Sequence, residues 1–513
     1  MPKEVELKVE VSPDEHNRLK RTRWPEGFSA TRAVTNTLQS VYFDTDDHAL
    51  REAGMSLRLR KTGNGWVQTL KLGTGVKAGL SSAKELEYPV DGRALDLSVI
   101  DKPKAVKALN KALNGAELKE QFETLVKRTS KLVTAPDGST IELAIDNGEV
   151  IADDKSIALG ECEMELQEGY TSNLYTTAQL LLGSVPFRFS PHSKAERGYH
   201  LATGVYESDW LPTKAEPSQV TRKDSVEDAV EKVLGSCLDQ ITHNRMVTLE
   251  SLDPEGPHQM RVGLRRLRNA FRTFKSVLPE EVSKPLLEES IEVFRLLGET
   301  RDFDVLTREV VEPLIHDAPG DIALEELLEK LILAREIKRT KLKSDLRSAR
   351  VNEFILKMSS FLAHRDWRTD TNDKALNTSV QQLADKQLAK GFKKLKKYGD
   401  QIDDLSIEER HKMRKAAKTL RDTIKFFAPL YVKKDRKAFT DQLRDLQEVF
   451  GYLNDVAVAE GLLHIEALQD NTQTGVAKAT GYVVGCHEIN ARYAWTEARD
   501  KWKKVEKAKR FWT

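Results

Sequence analysis

The chain has 513 residues, with 81 basic and 80 acidic side chains and a net charge of +1. This length exceeds what one hydrophobic core usually supports, so we predict at least two domains. Three widely spaced cysteines, Cys162, Cys237 and Cys486, argue against a disulfide scaffold and suit a reducing cytoplasm. The sequence has no signal-peptide core and no apolar run long enough for a membrane span, which predicts a cytoplasmic protein without membrane partners.

Up to about residue 200 the sequence predicts a series of β-strands. Short stretches alternate apolar and polar residues between glycine-bearing turns, as in EVELKVE, MSLRLRKTGNGWVQTLKL, KELEYPV, TIELAIDNGEV and GECEMELQEG. Charged residues share a face in several of them, because successive side chains of a strand point to opposite sides. These charged positions are Glu4, Glu6, Lys8, Arg58, Arg60, Lys71, Glu85, Glu87, Glu161, Glu163 and Glu165.

The charged faces have two interpretations. On one strand alone, a charged face is usually the solvated side of an antiparallel sheet. Repetition on several strands favours a sheet that closes on itself with the charges inside, since like charges two residues apart repel each other without a ligand. Such an interior would bind a divalent metal ion through carboxylates and a polyphosphate through arginine and lysine.

A linker separates this part from a helical part. Between Trp210 and Ser225 prolines appear and the periodicity is lost, whereas helical periodicity begins at SVEDAVEKVLGSCLDQI and continues almost to the C-terminus. We predict an α+β chain with a β-rich domain at 1–203, a linker at 204–222 and an all-α domain at 223–513.

The helical part contains an internal repeat. HQMRVGLRRLRNAFRTF, starting at His258, matches HKMRKAAKTLRDTIKFF, starting at His411, with an offset of 153 residues. The same offset aligns LGETRDFDV with FGYLNDVAV. Two separated segments that keep one offset predict a duplicated helical unit that packs as two similar halves.

Each repeat carries a basic stripe at helical spacing. The stripes are His258, Arg261, Arg265, Arg268 and Arg272 in the first copy, and His411, Arg414, Lys418, Arg421 and Lys425 in the second. One such stripe is usually the solvated back of a core helix, but retention in both copies predicts a cationic groove for a long polyanion. Lys393 and Lys397 are predicted to extend it. Nucleic acid is disfavoured, because aromatic residues do not interleave the stripe.

The first 200 residues resemble the CYTH superfamily, the triphosphate tunnel metalloenzymes. The E-x-E-x-K of Glu4, Glu6 and Lys8 resembles the family signature, and the similarity continues in order through YFDT, SLRLR, TLK, KELEY, KRTSKLV, ECEMELQEG and SKAERGY. This resemblance implies an eight-stranded antiparallel β tunnel with flanking helices that hydrolyses a triphosphate with Mg²⁺ or Mn²⁺. The helical part resembles the CHAD domain, which often follows CYTH domains and binds inorganic polyphosphate.

The resemblance also implies roles for individual residues. Substrate contacts would come from Lys8, Arg58, Arg60, Lys71, Arg128, Lys194 and Arg197. Metal ligands would come from Glu4, Glu6, Glu161, Glu163 and Glu165, with the direct ligands among the last three left open. Catalytic roles would fall to Lys8, Glu85 and Glu87. Water activation by Lys8, with a pKa lowered by neighbouring cations, and by a second metal ion remain alternatives. For His258 and His411 we expect phosphate contacts.

Together these features predict an inorganic triphosphatase that cleaves tripolyphosphate to pyrophosphate and phosphate. Its helical domain, a duplicated bundle, would bind long-chain polyphosphate and associate the enzyme with polyphosphate granules. Two alternatives remain open. One is a hydrolase or cyclase acting on an organic triphosphate such as thiamine triphosphate or ATP, and the other is a polyphosphate-binding protein without enzymatic activity.

Overall fold

The protein is described by a computed structural model. The described residues are 3–11, 13–63, 65–73, 76–77, 80–183, 185, 187–190, 192–204, 211–465, 468 and 474–512. The side chain of Glu4, a predicted metal ligand, lies outside the described part of the chain. Two compact units are formed: unit 1 from Met1–Trp210 and Arg347–His364, and unit 2 from Leu211–Leu346 and Arg365–Thr513.

Unit 1 is built on one antiparallel sheet. Its strands are β1 (Lys3–Val11), β2 (Ser29–Ala30), β3 (Val34–Asp44), β4 (Met55–Thr62), β5 (Gly65–Leu72), β6 (Val76–Lys77), β7 (Leu80–Val90), β8 (Lys119–Thr134), β9 (Thr140–Ala152), β10 (Lys155–Glu168) and β11 (Phe187–Phe189). Its helices are α1 (Pro13–Lys20), α2 (Ala49–Glu52), α3 (Pro103–Leu113), α4 (Ser172–Leu182) and α5 (Lys194–Ala202).

Eight of these strands close into a tunnel, which confirms the predicted architecture. The order runs β1-β10-β9-β8-β3-β4-β5-β7, and β7 pairs back onto β1. Apolar residues of the outer face, such as Leu57, Leu59 and Leu70, are buried against α2 and α3. The alternating charged residues therefore point into the tunnel, because a closed sheet leaves them no other side.

Helix α5 closes one end of the tunnel. Ala195 and Tyr199 pack on the inner-face residues Tyr42 and Phe122. Gly198 is required at this contact, because a Cβ atom there would lie 2.0 Å from the Phe122 ring. Ser193 caps the helix by accepting a hydrogen bond from the Glu196 backbone N–H at 3.1 Å. This closure sets Lys194, the first helical residue, at the tunnel wall.

Unit 2 is all-helical. Its helices are α6 (Val226–Glu250), α7 (Glu255–Thr273), α8 (Glu280–Val305), α9 (Glu312–Asp317), α10 (Ile322–Leu346), α12 (Asp373–Leu376), α13 (Val380–Gly399), α14 (Ile407–Phe427), α15 (Lys433–Glu460) and α16 (Thr474–Lys507). With the 153-residue offset, the starts of α6, α7, α8 and α10 fall within one residue of the starts of α13, α14, α15 and α16, in agreement with the predicted duplication. None of the described helices is both long and apolar enough to cross a membrane.

One helix from the middle of the chain belongs to unit 1. Helix α11 (Ala349–His364) lies between α10 and α12 in sequence, yet it packs on α4. Asn352 donates a hydrogen bond to the Val185 carbonyl at 3.0 Å, and His364 meets the Tyr175 ring edge-on. The sequence did not predict that α11 belongs to unit 1, because an amphipathic pattern shows that one face of a helix is buried but not which element covers it. The domain boundaries predicted from the sequence, 1–203, 204–222 and 223–513, stay a prediction.

Candidate active site

A cavity of about 650 Å³ lies inside the tunnel, and charged side chains dominate its walls. The predicted site residues that line it are Glu6, Lys8, Arg58, Arg60, Lys71, Glu85, Glu87, Arg128, Glu163, Glu165 and Lys194. Glu161 and Arg197 lie behind this wall and contact each other, with Arg197 Nε 3.3 Å from Glu161 Oε1. The structure thus gathers residues from separate strands around one space.

Strand register aligns three carboxylates in a row across the tunnel wall. Glu6 pairs with Glu165, and Glu165 pairs with Glu142. All three line the cavity. In the described part of the chain neither Glu142 nor Glu165 has an ion-pair partner, and burial together with Glu6 and Glu142 raises the pKa of Glu165 to about 7. This row, defined by Glu6, Glu142 and Glu165, is the carboxylate row.

A second acidic cluster is surrounded by cations. Asp146, Glu161 and Glu163 are buried, and their carboxylate oxygens lie within 4.8 Å of one another. The Lys194 ammonium contacts Asp146 at 2.9 Å, Glu161 at 2.7 Å and Glu163 at 2.7 Å. Burial opposes ionisation of Asp146, but Lys194 and Arg128 outweigh it and lower the Asp146 pKa. These three carboxylates form the acidic triad.

Arg128, which the family resemblance named as a substrate contact, lines the cavity. Its guanidinium donates to Asp146 Oδ1 at 2.8 Å and Asp146 Oδ2 at 2.6 Å, and it also contacts Glu163. Lys131, which has the opposite parity, lies instead over the Trp24 ring at 5.5 Å. Arg128 is therefore paired with the fully buried carboxylate of Asp146 and also lines the cavity wall.

The opposite wall is cationic and carries one uncompensated charge. Glu85 binds both Arg58 at 3.0 Å and Lys71 at 2.9 Å, with Glu87 4.0 Å from Arg58. Arg60 donates from Nε to the Ser40 hydroxyl at 3.1 Å and makes no ion pair within the described residues. Burial, Arg58 and Arg128 lower its pKa to about 10. This guanidinium is positioned to attract an anion.

Of the two open alternatives for water activation, the structure does not favour Lys8 as a base with a pKa lowered by neighbouring cations. Its ammonium lies 3.0 Å from Glu6 and 3.0 Å from Glu163. Burial lowers the pKa of Lys8, but the carboxylates outweigh burial and the net shift is well upward. Lys8 therefore stays protonated and acts as a fixed positive charge, because its close neighbours are anions and not the cations that we expected.

Sequence reasoning missed several lining or supporting residues. Glu142 and Asp146 alternate with Leu143 and Ile145 in TIELAIDNGEV, so strand parity could have placed them on the inner face. Tyr42 lies two positions from Ser40 on β3 and also lines the cavity. For these residues the signal was present but weak, because one or two polar residues in a strand do not by themselves mark an interior.

In unit 2 the two basic stripes meet where α7 crosses α14. Asn269 donates to the Thr419 carbonyl and to the Thr423 hydroxyl, each at 3.1 Å. Arg265 Nε lies 3.2 Å from Asp422. Residues 269 and 422 are equivalent at the 153-residue offset, so corresponding parts of the two repeats lie at this crossing and bring the stripes together.

The groove formed by these stripes is strongly electropositive. Burial, Arg414 and Arg265 lower the pKa of Lys418 to about 7. Burial, with Arg301 for His258 and Arg414 for His411, also lowers the pKa of both histidines. Side chains from the two repeats therefore repel one another, and an anion would relieve this repulsion. Partial counter-charges are Asp302 beside Arg261, Asp455 beside Arg414 and Asp422 beside Arg265.

The first repeat contributes extra cations that the stripe analysis missed. Arg295 of α8 adds to the field around Arg268, and Arg261 and Arg268 share the face of Phe294 at 4.3 Å and 5.2 Å. The equivalent of Arg295 in the second repeat is Glu448. Lys393 and Lys397 are exposed on α13, and none of the interactions described for the stripes involves them, so their participation stays a prediction.

Comparison with known families identifies the class of each unit. The CYTH domain model matches residues 2–199 and the CHAD domain model matches residues 232–464. The chain therefore carries a CYTH domain followed by a CHAD domain. More particularly, its CYTH domain is homologous to an inorganic triphosphatase of Haemophilus influenzae, with 31% identity over 217 residues. That match covers 41% of this chain and 58% of the length of the relative.

Two further comparisons cover the helical part. An uncharacterized protein of Mycobacterium tuberculosis strain H37Rv is 26% identical over 448 residues, which is 82% of this chain and 83% of that protein. The crystal structure of the CHAD domain from the plant Ricinus communis aligns with a TM-score of 0.51 and 27% identity. It covers 59% of this chain and 98% of the plant domain.

Proposed function

We propose that the tunnel hydrolyses inorganic triphosphate, cleaving tripolyphosphate to pyrophosphate and phosphate. The observation that carries this proposal is that one cavity holds charges of both signs. The carboxylate row comes from β10 and its neighbours, and β4 contributes Arg58 and Arg60. A linear triphosphate is a polyanion that needs cationic contacts along its length and a divalent ion on its oxygens. Homology to an inorganic triphosphatase supports the same chemistry.

The carboxylate row fits a divalent metal ion. Hard oxygen ligands suit Mg²⁺ or Mn²⁺, and two of the three carboxylates have no ion-pair partner in the described part of the chain. We place the metal at Glu6, Glu142 and Glu165, with Glu4 next to them on β1. When bound, the ion neutralises charge on the phosphate oxygens. The raised pKa of Glu165 reflects the same crowding of carboxylates, because burial and the neighbouring negative charges oppose its ionisation when no cation is bound.

The chain's own residues would then bind and orient the substrate. Arg58, Arg60, Lys71 and Arg128 hold phosphate oxygens, and positioning with electrostatic stabilisation supplies most of the acceleration. Substrate oxygens compete with Glu85 for Arg58 and Lys71, which frees the Glu85 carboxylate to accept a hydrogen bond from the attacking water. Glu87 supports it, and Lys8 contributes a fixed positive charge. Lys194 and Arg197 were predicted as substrate contacts, but their charged ends face carboxylates.

The cavity lining favours an inorganic over an organic triphosphate. Tyr42 is the single aromatic residue among the described lining residues. Its ring is buried and stacked on Phe122, with centroids 4.7 Å apart. A nucleobase or thiazolium ring would therefore find no open aromatic face among the described lining residues.

The test is phosphate release from tripolyphosphate, thiamine triphosphate, ATP and long-chain polyphosphate, each with Mg²⁺, Mn²⁺ or EDTA. We expect metal-dependent release that is fastest with tripolyphosphate. Faster release from either organic triphosphate would assign the tunnel to a different substrate. Absence of release from all four, with polyphosphate still bound, would make this a binding protein.

For the helical unit we propose binding of long-chain inorganic polyphosphate in the groove between α7 and α14. Supporting this proposal are the basic positions that both repeats retain and the mutual repulsion of Arg261, Arg265, Arg414 and Lys418. Such binding would tether the enzyme to polyphosphate granules in the cytoplasm. Equilibrium binding of polyphosphates of defined length tests it, and chains longer than the groove should bind more tightly than tripolyphosphate.

A further inference from the structure

Lys194 fills the acidic triad in the way that a bound cation would. Its ammonium is within 2.9 Å of an oxygen of each triad residue. The ammonium donates hydrogen bonds to Glu161 and Glu163, each at 2.7 Å, and forms an ion pair with Asp146. Both sides are withdrawn from water, since Lys194 is 7% exposed and Asp146 and Glu161 are fully buried.

Further cations complete the neutralisation of the triad. Arg128 makes two hydrogen bonds to Asp146 and contacts Glu163. Arg197 lies 3.3 Å from Glu161, and Lys8 lies 3.0 Å from Glu163. The three carboxylates of the triad thus meet four positive side chains, of which Lys8 is shared with Glu6 and Arg197 with Glu10. A divalent ion could enter only by displacing the Lys194 ammonium from the three carboxylates.

The carboxylate row has the opposite character. Within the described residues Glu142 and Glu165 lack ion-pair partners, and Lys8 is the single cation paired with Glu6. The row also lines the open cavity, whereas Asp146 and Glu161 do not. One tunnel therefore contains two acidic groups, one already neutralised by side chains and one not.

We propose that Lys194 is the resident cation of the acidic triad, so that the triad binds no divalent metal and the metal site is confined to the carboxylate row. This rests on the proposed function for the presence of a metal. It assigns Lys194 a positioning role that ties helix α5 to the tunnel wall. Of the glutamates on β10 that were predicted as metal ligands, Glu165 alone would then contact metal.

The experiment is a titration of the full-length protein with Mn²⁺ in the absence of any phosphate, with free Mn²⁺ measured by electron paramagnetic resonance. Glu165→Gln should weaken Mn²⁺ binding at least tenfold, and Asp146→Asn should leave it within about twofold. Lys194→Met should create an additional Mn²⁺ site. That site should disappear again in the double variant Lys194→Met/Asp146→Asn. Lys84→Met removes an exposed lysine of β7 and is the matched control, expected to bind as the unmodified protein does.

Two results would overturn the proposal: Mn²⁺ binding that Asp146→Asn weakens as much as Glu165→Gln, or no additional site in folded Lys194→Met. Circular dichroism establishes folding of each variant. If Lys194→Met does not fold, the comparison of Asp146→Asn with Glu165→Gln still decides. Because the titration reads metal and not turnover, an inactive protein with the expected pattern would remove the proposed hydrolysis and leave this inference standing.

Discussion

At the scale of single residues, the charges in the tunnel differ in how well they are compensated. Lys8, Arg58, Lys71 and Arg128 each have a carboxylate within ion-pair distance, whereas Arg60 has a hydroxyl as its partner. A buried cation among other cations destabilises the empty protein and is stabilised when an anion binds. Activity and stability should therefore respond in opposite directions when Arg60 is replaced.

Arg60→Met should lower kcat/KM for tripolyphosphate by about 10- to 150-fold, because a hydrogen bond to a charged group contributes about 1.5–3 kcal/mol. The same change should leave the free energy of unfolding equal or higher, since it removes a desolvated charge. Steady-state kinetics and urea unfolding measure the two effects. Arg58→Met is the comparison, because it leaves Glu85 with one cation fewer and should lower stability. Equal destabilisation by both variants would contradict this account.

Lys418 gives the groove a pH dependence. Its pKa of about 7 lies below that of an exposed lysine, because burial and the neighbouring arginines disfavour the charged form. An anion favours the protonated form, so polyphosphate affinity should fall as the pH rises from about 7 to 9. Over the same window the unfolded chain binds more protons than the folded one, so this group makes stability rise with pH.

Lys418→Arg isolates the contribution of this lysine, because arginine stays charged over that range. Fluorescence titration with polyphosphate at several pH values should show a flatter profile for the variant than for the unmodified protein. Both histidines are retained in Lys418→Arg, so the comparison with the unmodified protein reports on Lys418. Identical slopes would mean that Lys418 does not sense the bound anion.

At the scale of secondary structure, helix α5 depends on the absence of one side chain. Gly198 lies against Phe122 so closely that a Cβ atom would overlap the ring. Gly198→Ala should destabilise unit 1 by roughly 1–3 kcal/mol, the usual cost of overpacking, and should displace Lys194 from the triad. Thermal unfolding measures the first effect and the Mn²⁺ titration the second.

Gly481→Ala in α16 is the matched control. It is also a helical glycine, but its added Cβ would meet nothing within 4 Å. Alanine is the better helix former by about 1 kcal/mol, so this variant should be neutral or slightly more stable. If Gly198→Ala behaves in the same way, α5 is not held at the position described.

At the scale of the whole molecule, the two units have separate chemistry, and their functions should be separable. Glu165→Gln should lower metal-dependent hydrolysis of tripolyphosphate by at least a hundredfold and leave polyphosphate binding unchanged. Replacing Arg261, Arg265, Arg414 and Lys418 with glutamine should have the reverse effect. Hydrolysis and equilibrium binding are measured on the same preparations of the full chain.

The control for the fourfold variant removes the same charge elsewhere. Lys102, Lys104, Lys107 and Lys111 are exposed at or near α3 in unit 1, and their replacement with glutamine should leave polyphosphate binding within about twofold. Equal losses in both fourfold variants would show that net charge, and not the groove, binds polyphosphate. Loss of both functions in Glu165→Gln would show that the units are coupled.

Local periodicity by itself determined which faces carry charge and where the chain repeats. Strand parity placed Arg58 and Arg60 on one face of β4 and Glu85 and Glu87 on one face of β7, because parity is a property of each strand alone, and the 153-residue offset predicted the helical duplication. Tertiary structure decided which charges meet. Register and closure brought Glu163 to Lys8, which reverses the expected pKa shift, and α5 brought Lys194 to the acidic triad. Packing likewise assigned α11 to unit 1, because a helix's sequence encodes a buried face and not the surface that covers it.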